Sequence, residues 1–365
     1  MATPLGGLAA ASVGRLAAHA ESGTPALDRR IFTAAFEDIT NGAERLRQLA
    51  DRFSQVGVDE IAVSIGRIDQ ALFPWEGQLP PQSESQKDFV KDAIDVLSGD
   101  GSSPRPVIFL LDALIPKLIE ESPELGGIGA DGTRSEDHPS LTALTRGVVG
   151  ERIVELAAVA ARRYQPAAIS LTELFFGDTT YGDDDLADFE KTTGATGWPT
   201  KEGKIDTADE RIVAWRCQAL AELVGRVREA VNSAADNRPE LWVEVKAPRE
   251  DANADRKDSG HDYDLLMAQA DRLVLWCYFD EITDKTPSTQ DLAAAFVRRT
   301  GGAGIVSIGL WKAKDSNKND IPITPEELST AVKDAISGGS SSSWVTPPRL
   351  MSEAHWQTLA EAWQQ

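Results

Sequence analysis

The sequence predicts a single α/β domain of the (β/α)8 TIM-barrel class, with long loops on the C-terminal face. The chain has 365 residues, of which 41% are hydrophobic and 26% are charged, so it can bury a large core. Strand-like and helix-like segments alternate along most of its length, which is typical of a parallel sheet covered by helices. Eight such units fit this length without a Pro- or Ser-rich linker, which favours a closed barrel over an open sheet.

Short apolar or alternating segments between turn residues predict the strands. Their number matches the eight strands that a barrel of this class requires. In chain order, the predicted strands are Arg30–Phe36, Glu60–Ile65, Pro106–Leu111, Ala167–Leu174, Leu241–Lys246, Arg272–Tyr278, Gly304–Leu310 and Ser343–Thr346.

Amphipathic segments between these strands predict the helices, because their apolar residues recur at the spacing of one helix face. Thr324 before Pro325 predicts a helix start, since threonine caps a helix and proline is tolerated at its first position. A closing helix carries Trp356 and Trp363 and is expected to pack on the barrel exterior. The other predicted helices are Ala43–Gln55, Lys87–Leu97, Leu144–Tyr164, Ile205–Ala234, His261–Ala270, Thr289–Arg299 and Pro325–Ser337.

We divide the chain into an N-terminal extension, residues 1–28, and a catalytic barrel domain, residues 29–365. The three longest loops are Ile115–Leu141, Gly177–Lys204 and Ala247–Gly260, and each follows a predicted strand. Loops after barrel strands lie on the C-terminal face, where barrel enzymes build their active sites. We therefore expect these loops to surround the functional site.

Composition excludes several classes of partner. A net charge of -21 and a pI near 4.6 disfavour nucleic acid and anionic membrane surfaces, both of which require Lys and Arg. No segment is apolar enough to span a membrane. Cys217 and Cys277 form no disulfide framework and are expected to be reduced and buried. Met1 to Ala20 makes a poor secretory signal, so a cytoplasmic protein and a secreted protein without its signal both remain open.

Known cofactor and metal motifs are missing or misplaced. The segment Gly127–Gly132 matches GxGxxG but does not lie between a strand and a helix, so we predict no dinucleotide site. The acidic loop Asp178–Asp185 lacks the EF-hand spacing, which favours a solvated helix N-terminus over a calcium site. The four histidines form no metal-spaced pair. We therefore predict neither a metal nor a cofactor.

Glu173 is the first candidate catalytic residue. It follows the apolar run from Ala168 at the end of the fourth predicted strand, which places an ionisable group at the rim of the sheet. The structural alternative is an ion pair with Lys246 or Arg67 inside the barrel mouth.

The second carboxylate is less well defined by the sequence. Asp280 ranks first, because it shares side-chain parity with the aromatic residues of the sixth strand. Glu244 ranks second, since Lys246 lies two residues later and could neutralise it in a structural pair. Asp112 is the third choice, and Asp178 also remains open.

Aromatic and charged side chains gather at the same predicted face, where rings could stack on sugars and polar groups could bind hydroxyls. Two carboxyl groups beside a glycosidic bond can supply an acid with either a nucleophile or a base. For any single ring, packing in the core is an equal alternative. The predicted substrate-binding residues are Arg67, Asp69, Trp75, Asp112, Phe176, Tyr181, Lys246, Trp276, Tyr278 and Trp311.

About half of the chain resembles the glycosyl-hydrolase-like TIM barrels, including the hydrolase domain of bacterial exopolysaccharide-processing proteins. The resemblance begins with a fourth strand that ends in an acid. It implies a (β/α)8 fold and action on glycosidic bonds. The segments that carry it are Ile169–Val231, with Asp188–Gly194, Trp198-Pro199 and Trp215-Arg216 inside it, and later Gly260–Asp264 and Ala270–Tyr278.

One departure from that pattern keeps alternatives open. Many retaining glycosidases carry a second glutamate at the end of strand seven, whereas Ser307–Trp311 has no acid. The leading hypothesis is a glycoside hydrolase acting on an oligo- or polysaccharide. The second is a carbohydrate-binding barrel of a larger assembly, without turnover. The third is a lyase or aldolase with Lys246 as a Schiff-base amine; the lack of a Gly-rich phosphate loop after the last strands counts against it.

Overall fold

The computed structural model describes residues 27–79, 87–99, 104–281 and 285–364. All but the last two residues of the predicted N-terminal extension lie outside these ranges, as does the whole of Met1–Ala20. The described chain contains a closed barrel of eight parallel strands with helices between them, which confirms the predicted fold class. The barrel strands are β1 (Arg29–Ala34), β2 (Glu60–Arg67), β3 (Val107–Asp112), β4 (Ala168–Thr172), β5 (Glu240–Lys246), β6 (Arg272–Cys277), β7 (Gly304–Gly309) and β8 (Ser342–Thr346).

Pairing between the first and last strands closes the barrel. Ile31 of β1 pairs with Trp344 of β8 on one side and with Glu60 of β2 on the other. Because every strand then has two neighbours, no edge of the barrel sheet is left unpaired. All eight predicted strands are confirmed, with ends that differ by at most two residues.

Inward-facing side chains from all eight strands fill the barrel interior, as expected for a barrel of this size. The rings of Trp242 and Trp344 meet edge to face at a centroid distance of 6.1 Å. They close the bottom of the barrel beneath its C-terminal mouth. This inner cluster is Ile31, Ala62, Ile108, Leu110, Ala168, Trp242, Val274, Ile305 and Trp344.

One main helix follows each strand, and together these helices cover the barrel exterior. Where Thr324 was predicted to begin a helix, its hydroxyl accepts the Glu327 N–H at 3.2 Å and its own N–H donates to the Glu327 carboxylate at 2.6 Å. This capping box fixes the predicted start. The main helices are α1 (Ala43–Val56), α2 (Phe89–Leu97), α3 (Val148–Tyr164), α4 (Glu210–Ala234), α5 (Tyr263–Met267), α6 (Thr289–Thr300), α7 (Pro325–Ser337) and α8 (Glu353–Trp363).

The long loops on the C-terminal face contain short elements of their own. Four additional helices lie at Phe36–Thr40, Pro116–Glu121, Leu141–Thr145 and Asp183–Thr193. Short antiparallel pairs form between Gly126–Ile128 and Arg134–Pro139, between Thr200–Lys201 and Lys204–Ile205, and between Trp311–Lys314 and Asp320–Pro322, while Gln70–Ala71 pairs with the end of β2.

The cysteines agree with the sequence prediction, since Cys217 and Cys277 are both free and buried. In the described ranges, no helix combines the length and the apolar character needed to cross a membrane.

The closing helix packs on the outside of the barrel, as its tryptophans predicted. Trp356 stacks on Phe32 of β1 at a centroid distance of 5.0 Å. Trp363 donates its indole N–H to the Ser343 hydroxyl of β8 at 3.0 Å. Helix α8 therefore covers the seam where the first and last strands meet.

Replacing Trp356 with alanine tests the contribution of this seam. We expect Trp356→Ala to lower the free energy of unfolding by about 3–5 kcal/mol, because it leaves a cavity against Phe32. Urea unfolding followed by circular dichroism measures this change, with Val148→Ala at an exposed position as the control. A loss no larger than that of the control would show that α8 does not hold the seam.

Candidate active site

A cavity of about 330 Å³ opens at the C-terminal ends of the barrel strands. It holds acidic, hydroxyl and aromatic side chains from strand ends around the barrel. Leu110 and Trp344 of the barrel interior line it, and most of the other lining residues come from β4, β5, β6 and the segments that follow these strands. Its lining residues are Thr33, Leu110, Thr172, Glu173, Phe175, Glu244, Lys246, Trp276, Tyr278, Asp280, Glu281, Ser307, Trp311, Trp344 and Thr346.

Glu173 lies immediately after β4, and its backbone ends that strand. Its φ of +55° is in the left-handed region, which costs a residue with a Cβ on the order of 1 kcal/mol. The predicted strand extended to Leu174, and this left-handed residue is why the observed strand stops at Thr172. A conformation of this cost persists only where the surrounding structure imposes it.

The pKa of Glu173 is raised from 4.5 to about 8. Burial is the main cause, and the negative charges of Asp112 and Glu244 add to it. In the described part of the chain, no hydrogen bond or ion pair reaches the Glu173 carboxyl group. The positive charge of Lys246 opposes this rise without cancelling it, so the protonated form of the carboxyl group is favoured at neutral pH.

Glu244 of β5 is only 6% exposed, and three donors surround its carboxylate. The Ser170 hydroxyl donates to Oε1 at 3.2 Å, while the Thr172 hydroxyl and the Trp276 indole N–H donate to Oε2 at 3.0 and 2.6 Å. Burial raises the pKa of Glu244 to about 7, and these three hydrogen bonds oppose the rise. Glu244 therefore gives up its proton more readily than Glu173.

Asp112 at the end of β3 is a third carboxyl group beside this pair. Burial raises its pKa to about 6, while the Leu114 N–H at 2.8 Å and the Arg67 guanidinium at 3.9 Å favour its charged form. Asp112 does not line the cavity, but its charge raises the pKa of Glu173. It acts on the site through its electric field.

Lys246 is paired with a residue that the sequence analysis did not consider. Its ammonium donates to Glu281 at 3.0 Å and lies 4.1 Å from the centre of the Phe175 ring. The ion pairs of Glu173 with Lys246 or Arg67 that were the structural alternative do not form. Glu281 follows the sixth strand in a short turn, and sequence alternation alone could not have singled it out.

Four aromatic rings form one wall of the cavity. Trp276 and Tyr278 stack at a centroid distance of 5.2 Å, and Tyr278 meets Trp311 at 4.6 Å. Phe175 stands edge to face against Trp276 at 6.0 Å. Three of these rings were predicted from the sequence, and Phe175 was missed.

Two predicted aromatic contacts belong to the core instead. Phe176 is 1% exposed and packs against Gly260, whereas Phe175, two residues after Glu173, lines the cavity. Tyr181 is 6% exposed and packs beneath the Arg216 guanidinium, 4.8 Å from the ring centre. Neither side chain lines the cavity.

The remaining predictions fall around the cavity rather than inside it. Asp69 is buried and accepts the Lys117 N–H at 2.9 Å, so it caps the helix that begins at Pro116. Arg67 donates to Asp69 at 3.1 Å and stands between it and Asp112. Trp75 packs against the hydrophobic core. Asp280 lines the rim, where it is exposed.

No group of three or more His, Cys, Asp or Glu side chains in the described residues is arranged to hold a metal ion.

Comparisons with known proteins give the fold a context. No family model and no curated protein matches this sequence. Among solved structures, the PgaB (BpsB) glycoside hydrolase domain from Bordetella bronchiseptica is 14% identical with a TM-score of 0.67, over 93% of this chain and 99% of that domain. The catalytic domain of β-amylase from Paenibacillus polymyxa is 11% identical with a TM-score of 0.66, over 93% and 98%.

The β-galactosidase from Marinomonas ef1 is 11% identical with a TM-score of 0.67, and the alignment covers 92% of this chain but 59% of that enzyme. Similarity at these identities shows the barrel fold that this chain shares with glycoside hydrolases.

Replacing Glu173 with glutamine tests whether its carboxyl group is buried and protonated. Folding raises its pKa from 4.5 to about 8, so its contribution to stability falls as the pH rises between these values. We expect Glu173→Gln to be more stable than the wild type at pH 8, by on the order of 3 kcal/mol, and no more stable at pH 4. Calorimetric unfolding at both pH values measures this difference.

The matched control is Glu361→Gln, which changes an exposed glutamate of α8. It is expected to leave the pH dependence of stability unchanged. If Glu173→Gln behaves like this control, the carboxyl group of Glu173 is solvated and ionised at neutral pH.

Proposed function

We propose that this protein is a glycoside hydrolase that cleaves a glycosidic bond of an oligo- or polysaccharide with Glu173 and Glu244. One observation supports this above the others. Two carboxyl groups in unlike environments share an aromatic-lined cavity at the C-terminal mouth of the barrel. Pairs of titratable groups whose surroundings separate their pKa values are typical of acid and base partners.

In this proposal, Glu173 is the general acid. It has no donor to stabilise its charge, so it carries a proton at neutral pH and can transfer it to the leaving oxygen of the glycosidic bond. Glu244 is the ionised partner, because Ser170, Thr172 and Trp276 donate hydrogen bonds to its oxygens. It either attacks the anomeric carbon or removes a proton from the attacking water.

The choice of Glu244 reverses the order in which the sequence ranked the second carboxylate. Asp280 is exposed in the turn Phe279–Glu281 beyond β6. Glu244 is buried on β5, the hydrogen-bonded neighbour of the strand that precedes Glu173. A carboxylate held by three donors on a rigid strand is better fixed for chemistry than one at an exposed turn.

The aromatic wall supplies the surface on which a sugar ring would stack. Trp276 and Tyr278 are stacked on each other, and Trp311 extends the wall beyond Tyr278. The hydroxyl groups of Thr33, Ser307 and Thr346 also line the cavity and can bond sugar hydroxyls. The named activities of the similar solved structures, a β-amylase and a β-galactosidase among them, support the class and differ in the sugar.

Amide substitutions test the catalytic pair. On whichever aryl glycoside or oligosaccharide the wild type hydrolyses in a substrate screen, Glu173→Gln and Glu244→Gln are each expected to lower kcat by about 10²–10⁴-fold. Sugar binding, measured by calorimetry, should be retained in both variants. Asp280→Asn is the matched comparison and should keep most of the activity. A larger loss of kcat in Asp280→Asn than in Glu244→Gln would show that Asp280 is the second carboxylate, as the sequence ranking has it.

A second prediction concerns the pH dependence of hydrolysis. The rate should fall in acid as Glu244 gains a proton and in alkali as Glu173 loses one, which gives a bell-shaped profile. Trp276→Phe removes the donor 2.6 Å from Glu244 and raises the pKa of that carboxylate, so the acidic limb should move to higher pH. Trp311→Phe keeps a ring in the wall and is the control. If the acidic limb stays at the same pH in Trp276→Phe, the group that titrates there is not Glu244.

A carbohydrate-binding barrel without turnover is the second candidate, favoured by the absence of an acid at the end of β7. It predicts that the wild type binds oligosaccharides in the screen and hydrolyses none of them. A Schiff-base role for Lys246 has less support, since its amine contacts Glu281 and the Phe175 ring as a cation would. A lysine of that kind has to be neutral to attack a carbonyl group.

A further inference from the structure

We infer that His261 is a positioning residue of this site, which fixes Glu173 relative to the strand that carries Glu244. The inference rests on the proposed function, because it assigns His261 a task in keeping the two carboxyl groups in place. In the sequence, His261 directly follows the long loop Ala247–Gly260. The structure places it at 0% exposure between the ends of β4 and β5.

Both ring nitrogens of His261 are bonded to backbone groups next to the carboxylate pair. Nδ1 accepts the N–H of Lys246, two residues after Glu244, at 3.1 Å. Nε2 contacts the carbonyl oxygen of Leu174, the residue after Glu173, at 3.0 Å. Because a backbone N–H can only donate, Nδ1 carries no proton and Nε2 donates, so the ring is neutral. One imidazole thus joins the two strand ends.

The surrounding loop holds the imidazole in place. Phe176 donates its N–H to the Ser259 carbonyl at 2.9 Å, which ties the segment after Glu173 to the loop before His261. Gly260 has a φ of +84°, and a Cβ added there would lie 2.8 Å from the Phe176 ring. Tyr263 donates its hydroxyl to the Lys246 carbonyl at 2.5 Å. The buried Phe176 therefore serves this loop rather than a sugar.

The hydrogen bond from His261 to the Leu174 carbonyl supports the strained backbone of Glu173. Its left-handed backbone is unfavourable by itself, and the peptide that follows is held by His261 through the Leu174 carbonyl. Without that bond, we expect the turn to relax and the Glu173 carboxyl group to move toward solvent. Its pKa would then fall toward the ordinary value for glutamate.

The charged groups around both residues are consistent with this arrangement. Asp112, Glu244 and Glu281 raise the pKa of Glu173, and Lys246 lowers it. Around the imidazole, Lys246 and Arg256 oppose protonation and Asp258 favours it, while burial dominates and lowers the pKa of His261 to about 4. The neutral ring therefore persists over the pH range in which Glu173 titrates.

Two substitutions separate the two bonds of the imidazole. In His261→Asn, the amide oxygen takes the place of Nδ1 and can still accept the Lys246 N–H, but no atom reaches Leu174. In His261→Gln, the amide N–H takes the place of Nε2 and can still donate to Leu174. The measurement is the pKa of Glu173 by ¹³C NMR of protein labelled at the glutamate carboxyl carbons, with its signal identified from Glu173→Gln. No substrate is needed.

We expect the pKa of Glu173 to fall by about one unit or more in His261→Asn and to stay near the wild-type value in His261→Gln. His355→Asn is the matched control, because His355 is also buried and bonded to a backbone carbonyl. It lies at the start of α8, is 5% exposed, and its Nε2 contacts the Ile323 carbonyl at 2.8 Å. This control should lower the melting temperature without changing the pKa of Glu173. An unchanged pKa in His261→Asn, or an equal fall in His355→Asn, would overturn the inference.

A measurement on the wild type covers the case in which His261→Asn does not fold. The ¹⁵N spectrum of His261 at pH 7 should show the neutral ring with its proton on Nε2. A charged ring, or a proton on Nδ1, would contradict the bonding described here. If the spectrum and the pKa shift appear but no glycoside is hydrolysed, the proposed function fails and the positioning role stands. If hydrolysis is found and the pKa does not move, the positioning role fails alone.

Discussion

The free energy of charging two carboxyl groups in one cavity is the constraint on which the site depends. Burial raises the cost of ionising both Glu173 and Glu244, and the charge of Glu244 adds to the cost for Glu173. The fold gives the two carboxyl groups different surroundings. It gives Glu244 three donors and Glu173 none, which favours the charged form of Glu244 over that of Glu173. Chemistry that needs an acid beside a carboxylate is thereby prepared before any ligand enters.

This preparation depends on the rigidity of the barrel beneath it. Two of the donors to Glu244, Ser170 and Thr172, lie on β4, and the third, Trp276, lies on β6. Glu244 is thus held from both neighbouring strands, whose register is fixed by backbone pairing. The tryptophans that close the bottom of the barrel keep these strands from collapsing inward. Three donors on two fixed strands therefore orient the Glu244 carboxylate.

Most of the fold could be predicted from the sequence, because its signals are local. The eight strands and the main helices follow from apolar periodicity, and Glu173 was identified because a buried strand ends on it. The neighbouring aromatics show the limit of this reasoning. Phe176 was predicted to bind the substrate, but it packs in the core, and Phe175 lines the cavity instead, two residues after Glu173, whose left-handed backbone ends the strand. No pattern of residue types announces that conformation.

The positions of Asp280 and His261 also could not be predicted from the pattern of residues along the chain. Parity along the sixth strand pointed to Asp280, but the strand ends at Cys277 and a tight turn leaves that side chain exposed. The partners of His261 come from two strand ends, and Leu174 lies 87 residues away in the chain. Contacts of this kind exist only once the barrel has formed.

Because β7 has no acid at its end, the carboxyl groups of Glu173 and Glu244 lie at neighbouring strand ends and not on opposite sides of the barrel. The strand bearing Glu244 is hydrogen-bonded to the strand that precedes Glu173, and Val243 pairs with Leu171. Carboxyl groups at neighbouring strand ends share one local environment, which explains why the charge of Glu244 raises the pKa of Glu173. It also explains why a single imidazole can reach both ends. Carboxylates on opposite strands would need two separate supports, whereas here the loop that carries His261 contacts the chain beside both Glu173 and Glu244.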